Sequence, residues 1–501
     1  MIAIIISLFR IGVLMPKGLI ILMKSMLKEG TNLCTLLLYS ATKYKDRVAL
    51  VQGEQRLTYE ELYLLVLNQA SCLLQQHHLK QGQKVAILSR NTVDFSVLMF
   101  ALSRIGVDVV LLNPEISKTQ LDRLSQKYAY DLLIFEHHEL AKKFVLKGIN
   151  YLLIHELKVN QRDLSLDRFV NPLAKVMSGQ ITVLTSGTTG EFKAVSRRQR
   201  FIDFLYPLSA LVNKIALQRF KSIYIAVPFY HGFGLAAMIV SILLGTEIHI
   251  ARGFDEKKAI RIIEQNHIQV VALVPSMLVR MLNASSSALK GVKRIVSGGA
   301  ALSPSLIAET FQKVGSVLYN LYGTTEAGFC ILATPKDLLQ YPEALGKAIH
   351  GVALRLASLE DIGELEVKSK WSVRQGRSRW VKTGDLAYID QTKLVFLKGR
   401  VDSMIVSGGE NVYPLDLENV MSQHPQVYEV SVIGVPDISF GQRLKAFVVL
   451  KKGVSVSETE LKDWLKARVA RYQMPAQIVF LDELPLSSIG KVNTLLLSEK
   501  M

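Results

Sequence analysis

Cysteine is scarce, with only Cys34, Cys72 and Cys330 in 501 residues and no CxxC pair. An odd, scattered set excludes a disulfide framework, argues against a zinc cage and fits a reducing compartment. Proline and glycine, 14 and 32 residues, are too few for a collagen-like or low-complexity chain. No uninterrupted apolar run reaches the roughly 20 residues of a spanning helix. There is no basic stripe interleaved with aromatics and no helix-turn-helix or RRM signature, so nucleic acid is not an expected partner. No repeat of solenoid period occurs.

What is present is ordinary globular composition, 49% hydrophobic and 21% charged. The length predicts about three domains, or one large and one small. The net charge is +17, yet residues 401 onward hold ten basic against twelve acidic residues. The positive excess therefore lies in the first 400 residues, where it attracts nucleotides, acidic substrates or anionic lipid.

Residues 1–28 are strongly apolar but broken by Arg10, Pro16 and Lys17. No cation precedes the run and no A-x-A site follows it, so it does not read as a signal peptide. With Arg10, Lys17, Lys24 and Lys28 it suits a segment lying on an anionic membrane surface. The alternative is a helix packed on the domain, with Met15, Met23 or Met26 as other possible starts.

From residue 31 helices and strands alternate. Helices are expected at 32–44, 59–79, 92–105 and 121–128, the second with Thr58 as N-cap and Glu61 three residues on. Strands are expected at 48–51, 55–58, 84–88, 107–112 and 131–135, and later at 181–184, 223–227, 247–250, 269–274, 294–296 and 316–320. This rhythm predicts an α/β fold with parallel sheets covered by helices. After Gly399-Arg400-Val401-Asp402 the pattern changes to a small α+β domain with helices at 414–423 and 458–471 and strands at 429–435, 445–450 and 478–481. The expected organisation is an apolar basic segment over 1–30, a large domain over 31–400 and a small domain over 401–501.

The strongest local signal is Thr185-Ser186-Gly187-Thr188-Thr189-Gly190-Glu191-Phe192-Lys193, following an apolar strand. Glycines admit a phosphate close to the backbone, while hydroxyls and N–H groups donate to its oxygens. Lys193 adds charge. GxxxxGK[ST] cannot be laid over the stretch, so it is not a Walker A loop. The alternative is a Ser/Thr/Gly-rich surface turn. Further along come Tyr322-Gly323-Thr324-Thr325-Glu326 after a strand, Thr383-Gly384-Asp385, Gly399-Arg400-Val401-Asp402 leading into Ser407-Gly408-Gly409-Glu410, and Gly490-Lys491.

In this order and spacing the motifs resemble those of the adenylate-forming superfamily, which includes acyl-CoA synthetases, peptide-synthetase adenylation domains and luciferases. The likeness spans residues 31 to 495. It implies a large domain of layered parallel sheets and helices with a β-barrel-like subdomain, and a small mobile C-terminal domain. It also implies ATP, Mg²⁺ and coenzyme A as cofactors. The catalytic set it implies is Lys491, Glu326, His231 and Thr188. Lys491 stabilises charge between carboxylate and α-phosphate, and Glu326 binds Mg²⁺. The cofactor-binding set it implies is Thr185, Ser186, Gly187, Thr189, Gly190 and Lys193 around phosphate, then Gly299, Ala300, Tyr322, Gly323, Thr324 and Thr325 around adenine. Asp385 accepts from the ribose hydroxyls, Arg400 contacts ribose or phosphate, Asp402 is the hinge, and Gly408 and Gly409 line the pantetheine channel. Arg443 and Lys445 are further candidates for CoA phosphates.

Pro228-Phe229-Tyr230-His231-Gly232-Phe233-Gly234 resembles the family segment that lines the acyl pocket, and its apolar character favours an apolar acid. Asn91-Thr92, Val109 to Asn113, Ala333 to Leu338, Met404 to Ser407 and Phe440 to Phe447 resemble bacterial medium- and long-chain fatty-acyl-CoA synthetases. The function so implied is an ATP-dependent fatty acid:CoA ligase in the cytoplasm, with peripheral contact at the inner membrane face. The alternatives are a fatty-acyl-AMP ligase loading an acyl carrier protein, or a ligase of an aryl or other carboxylic acid with CoA. Departures from the family pattern are Phe192 for proline, Ala194 for glycine, a shortened stretch over 367–380 and the tail Val492-Asn493-Thr494 without basic residues.

Overall fold

The computed structural model describes residues 2–144, 150–157, 175–186, 192–198, 201–358, 361–373, 379–407, 410–437, 440–487 and 491–498. The chain forms two compact units, one of residues 1–273 with 291–296 and one of residues 274–290 with 297–501.

The first unit carries two mainly parallel sheets. One has the order Phe192–Arg198, Gln180–Ser186, Asp108–Leu112, Lys84–Leu88, Leu132–Phe135, Tyr151–Leu153, parallel except for the first pair. The other orders Val270–Leu273, Ser222–Ile225, Glu247–His249, Val48–Gln52 and Gln55–Thr58, with only the last pair antiparallel. Strands such as Lys84–Leu88 read as unbroken apolar runs because helices cover both faces. The expected cap is present: Thr58 Oγ1 accepts from the Glu61 N–H at 3.2 Å while the Glu61 carboxylate accepts from the Thr58 N–H at 2.8 Å. The helix it starts, Tyr59–Gln75, ends four residues before the expected limit.

The N-terminus folds as α1 (Ile2–Arg10) and α2 (Pro16–Glu29). The turn between them passes through Gly12 in the left-handed region, φ +73°, and a Cβ on Gly18 would sit 2.0 Å from the Gly12 carbonyl oxygen. α2 ends on a buried ion pair. The side chains of Glu29 and Arg104 are only 1% and 4% exposed, and Arg104 Nε donates to the Glu29 carboxylate. Tyr63 Oη donates to the other oxygen at 2.5 Å. Burial, reinforced by the Glu29 charge, pushes the neighbouring Cys34 thiol well up.

The second unit is antiparallel at first. Its strands run in the order Ala353–Ala357, Gly363–Lys368, Val381–Ile389, Leu394–Arg400, Ala344–Ala348, Gly328–Ala333, Leu318–Thr324. Cys330, Ile331, Leu365, Val367, Val381 and Val395 form the core beneath them. A second core, of Leu417, Met421, Val432, Leu444, Ala446, Leu461 and Ile478, lies under the sheet of Glu410–Val412, Ile405–Ser407, Gly441–Leu450, Val427–Asp437 and Gln477–Phe480. Helices Pro414–Met421 and Glu458–Lys466 pack on it, so the α+β pattern expected after residue 400 is present. The fold is the expected α/β class, a large N-terminal part of layered sheets and helices followed by a small C-terminal α+β part.

Further placements differ from expectation, among them the helix expected over 458–471, which ends at Lys466. The strand expected at 316–320 extends to Thr324, so Tyr322, Gly323 and Thr324 lie on the strand and not after it. The ladder tolerates this through an irregularity at Tyr322/Gly323, where a Cβ on Gly323 would stand 2.2 Å from the Gly328 carbonyl oxygen. Thr383, Gly384 and Asp385 likewise lie within Val381–Ile389.

The Glu29–Arg104 pair yields a stability prediction. Arg104→Met leaves a buried carboxylate without its cation and should cost about 3–5 kcal/mol in the first unit. Urea denaturation followed by amide hydrogen exchange of the first unit checks this; a change within 1 kcal/mol would contradict it.

Candidate functional site

Two adjacent antiparallel strands set the centre of the site by placing Asp385 opposite Arg400. Arg400 Nη1 donates to Asp385 Oδ1 and to the Thr383 carbonyl, both at 3.1 Å. Tyr322, from a third strand, donates its hydroxyl to Asp385 Oδ2 at 2.5 Å. Asp385 is 8% exposed. Burial pushes its carboxyl up from the ordinary range, while the Tyr322 hydroxyl, Arg400 and Lys491 pull the other way. Burial and the Asp385 charge together push the Tyr322 phenol well up, so it remains a donor. With one neighbour on each oxygen the carboxylate keeps free lone pairs, enough to accept two further hydroxyls.

Gly384 explains why Arg400 sits where it does. Its φ is +74°, and a Cβ there would lie 2.7 Å from Arg400 Nη2. Its N–H donates to Glu364 Oε1 at 3.2 Å and its carbonyl accepts from the Val401 N–H at 2.9 Å. Thr383 Oγ1 donates to the Leu365 carbonyl at 2.8 Å and accepts from the Asp385 N–H at 3.2 Å. Glu364 escaped the sequence reading, and Thr383 entered it only as part of its motif, without a role. They touch backbone, and alternating polar residues on a strand give no signal of that.

Lys491 reaches the same place. Ser487 donates its N–H to the Lys491 carbonyl at 2.6 Å, and the Lys491 N–H donates to Ser487 Oγ at 3.2 Å. A bridge pairs Leu486 with Val492. Gly299, with φ +84°, points the position of a Cβ to within 3.9 Å of Lys491 Cε. Lys491 is exposed as a residue, yet crowding around its amine pushes the pKa down, with Asp385 opposing that and Arg400 adding to it. Lys491, Gly299, Asp385, Arg400 and Tyr322 are thus brought together, and Ala300 follows Gly299 as an exposed bend residue. Asp402 accepts from Arg400 Nε at 3.4 Å.

Thr324, Thr325 and Glu326 occupy the tight connection between Leu318–Thr324 and Gly328–Ala333. The Thr324 hydroxyl accepts from the Ala327 N–H at 3.0 Å, and the Glu326 carbonyl accepts from the Val373 N–H at 2.8 Å. A lone carboxylate such as that of Glu326 would fit an ion that keeps several waters and substrate oxygens, as Mg²⁺ does.

Other expected residues belong to the first unit or lie beyond description. Thr185, Ser186 and Lys193 are on the paired strands Gln180–Ser186 and Phe192–Arg198. Gly187, Thr188, Thr189 and Gly190 fall outside the described residues, as do Gly408 and Gly409. Ala194 pairs with Leu184 in ordinary extended backbone, so its substitution for glycine carries no strain. His231 occupies the N-cap position of the helix Gly232–Leu244 without a side-chain capping bond, and its ring lies tilted against Tyr230, centroids 4.6 Å apart. The path before it is clamped by Asn91, whose Oδ1 accepts from the Phe229 N–H at 2.7 Å and whose Nδ2 donates to the Val227 carbonyl at 2.9 Å. Asn91 entered the sequence reading only through resemblance; its clamp was not legible there. One candidate is corrected. Lys445 is 7% exposed and lies over the Phe447 ring, and Arg443 donates to the Met474 carbonyl. Both are tied into their own sheet, so the structure does not present Lys445 to a CoA phosphate.

Comparison with known proteins agrees with this layout. The model of the AMP-binding enzyme family matches residues 37–374, and that of the AMP-binding enzyme C-terminal domain matches residues 416–491. The 2-succinylbenzoate–CoA ligase of Geobacillus sp. strain WCH70 is 29% identical over 485 residues, covering 92% of this chain and 96% of its own. The ligase of the same name from Bacillus subtilis strain 168 is 27% identical over 488 residues, covering 93% and 97%. Among solved structures, the O-succinylbenzoate coenzyme A synthetase of Bacillus subtilis in complex with ATP and magnesium ion is 26% identical, with a TM-score of 0.78 over 91% of this chain and 98% of that one. ATP-bound MatB of Rhodopseudomonas palustris is 25% identical, with a TM-score of 0.79 over 94% and 99%. The expected ATP, Mg²⁺ and CoA recur in the names of these relatives; the expected fatty-acyl branch does not. The chain belongs to the AMP-binding enzyme family.

Proposed function

We propose that this protein is an ATP-dependent acid:CoA ligase acting on an aryl acid of the 2-succinylbenzoate kind. The single observation that carries the ligase reading is the convergence of Tyr322, Asp385, Arg400 and Lys491. It joins an acceptor for ribose hydroxyls to two cations suited to phosphate and carboxylate. The aryl acid is supported by the relatives named 2-succinylbenzoate–CoA ligase. The segment resemblances to fatty-acyl-CoA synthetases keep an aliphatic acid as the second reading.

In the first half-reaction a carboxylate oxygen attacks the α-phosphorus of ATP. The new O–P bond forms as the bond to the β-phosphate oxygen breaks, and pyrophosphate leaves. Two anions must meet, so charge neutralisation and in-line placement supply most of the catalysis. Lys491 holds its ammonium between the two. Asp385, held by Tyr322 and Arg400, fixes the ribose. Glu326 would hold Mg²⁺, which neutralises phosphate charge when bound. In the second half-reaction the CoA thiol attacks the acyl carbon and AMP leaves. We assign Asp402 as the hinge about which the C-terminal part, residues 401–501, rotates between the two steps. The turn in which the N–H groups of Ser403 and Met404 donate to the Arg400 carbonyl supports that assignment.

Pyrophosphate release from ATP and Mg²⁺ should peak with 2-succinylbenzoate or a related benzoate and rise on adding CoA. A peak among C4 to C18 aliphatic acids would restore the fatty-acyl reading. Release unaffected by CoA but followed by loading of a carrier protein would make the protein an acyl-AMP ligase. Lys491→Ala should lower adenylation by about 10²–10³-fold while changing ATP affinity little; normal adenylation by that variant would refute the assignment.

A pH experiment tests Asp385. Its folded pKa is raised, so falling pH protonates it in the folded protein before the unfolded chain. ATP affinity should therefore fall, and the stability cost of the buried charge should fade, as the medium is acidified. Tyr322→Phe removes the strongest pull opposing burial and should move the acid limb of ATP binding to higher pH. Calorimetric titration across pH checks this; an unmoved limb would count against the coupling.

A further inference from the structure

The N-terminal helices have an outward face that folding does not explain. α1 turns Ile4 and Ser7 inward, where Ser7 Oγ donates to Ser209 Oγ at 3.1 Å and Asn213 Nδ2 donates to Ser7 Oγ at 2.8 Å. Arg10 Nη1 donates to Asn213 Oδ1 at 2.8 Å, and Lys43 Nζ donates to the Ile11 carbonyl at 2.6 Å. Ile11, Val13 and Ile21 share a core with Tyr39, Leu208 and Val212. The segment is thus fixed to the first unit by polar and apolar contacts on its inner side.

Its outer side is also apolar. Ile2, Ile5, Ile6 and Phe9 recur at helical spacing on α1, and Leu19, Ile20, Met23, Met26 and Leu27 do so on α2. Ile2, Met23 and Leu27 are 76%, 62% and 64% exposed. With Met15 these residues make up half of the large hydrophobics that are exposed among the described residues. A cluster of this kind marks a contact surface, unlike the scattered exposed apolar residues of most proteins.

Charge selects the occupant. Arg10, Lys17, Lys24 and Lys28 are exposed around this face, and residues 1–28 contain no acid. The first acid, Glu29, is buried against Arg104. A second copy docking through the same face would bring like charges together. No helix among the described residues is long and apolar enough to cross a membrane. Apolar side chains ringed by cations on helices of 9 and 14 residues suit the headgroup region of an anionic bilayer. We propose that α1 and α2 form a rigid docking face that seats the protein on an anionic phospholipid surface. It is the folded form of the contact that residues 1–28 imply in sequence, and it is independent of which acid is activated.

The test is co-sedimentation of the full chain with vesicles of equal parts phosphatidylglycerol and phosphatidylcholine, compared with phosphatidylcholine alone. The wild type should pellet with the anionic vesicles and much less with the neutral ones. Ile20→Glu/Met23→Glu/Leu27→Glu should lower partitioning at least about tenfold, and Lys17→Glu/Lys24→Glu should remove most of the anionic preference. Both variants change only exposed positions and should keep the wild-type melting temperature and ligase rate on soluble acid. A wild type left in the supernatant, or an apolar-face variant that pellets like it, overturns the proposal. So does light scattering that shows a dimer which the apolar-face variant dissolves, because the face would then belong to a second copy.

Discussion

A buried carboxylate organises the second unit. Asp385 lies within an antiparallel ladder, where an unpaired charge would be costly. Its two oxygens are met from different strands, Arg400 across the pair and Tyr322 from further along the sheet. Satisfying that one group fixes the mutual position of three strands and brings Arg400 to the place where Lys491 also arrives. Structure and chemistry are coupled here, since the hydrogen bonds that make the buried charge tolerable also hold it ready to accept hydroxyls.

The first unit is organised differently. Its parallel strands have mostly apolar centres and are aligned by packing, and beside the helix-borne Glu29–Arg104 pair several polar fixtures sit at strand ends. Asn91 is the clearest case: both ends of one amide clamp the backbone ahead of His231. A close approach without room for a side chain completes that turn, since a Cβ on Gly234 would stand 2.2 Å from the Pro228 carbonyl oxygen. The segment keeps its shape through these backbone contacts and through Phe229, which is buried against Phe95.

Much of this was legible in the sequence. Helix starts were, because a capping pair such as Thr58 and Glu61 is a local signal. Parallel strands were, because Lys84–Leu88 and Asp108–Leu112 are short apolar runs between helices. Tyr322, Asp385, Arg400 and Lys491 were found through motif order. The antiparallel strands between 344 and 389 were not, because their cross-strand partners lie far apart in sequence and the signature residues interrupt their alternation. The roles of Glu364 and Asn91 were hidden for a related reason, since a side chain that serves the backbone of a distant residue leaves no local pattern. The sequence reading leaned toward a fatty chain while the relatives are named for an aryl acid, because apolar lining suits an aromatic ring as well as an alkyl chain.

Gly384 has a consequence for how this site can change over time. Two separate conditions disfavour a side chain there: the left-handed backbone and the nearness of the Arg400 guanidinium, which would have to give way. A shorter residue at 400 would make room but would leave the backbone strained, and relaxing the backbone would displace the partner of Asp385. No single compensating change elsewhere restores both. Replacement of this glycine is therefore opposed at once by its own backbone and by the partner of Asp385, and a change at position 400 alone relieves only one of the two.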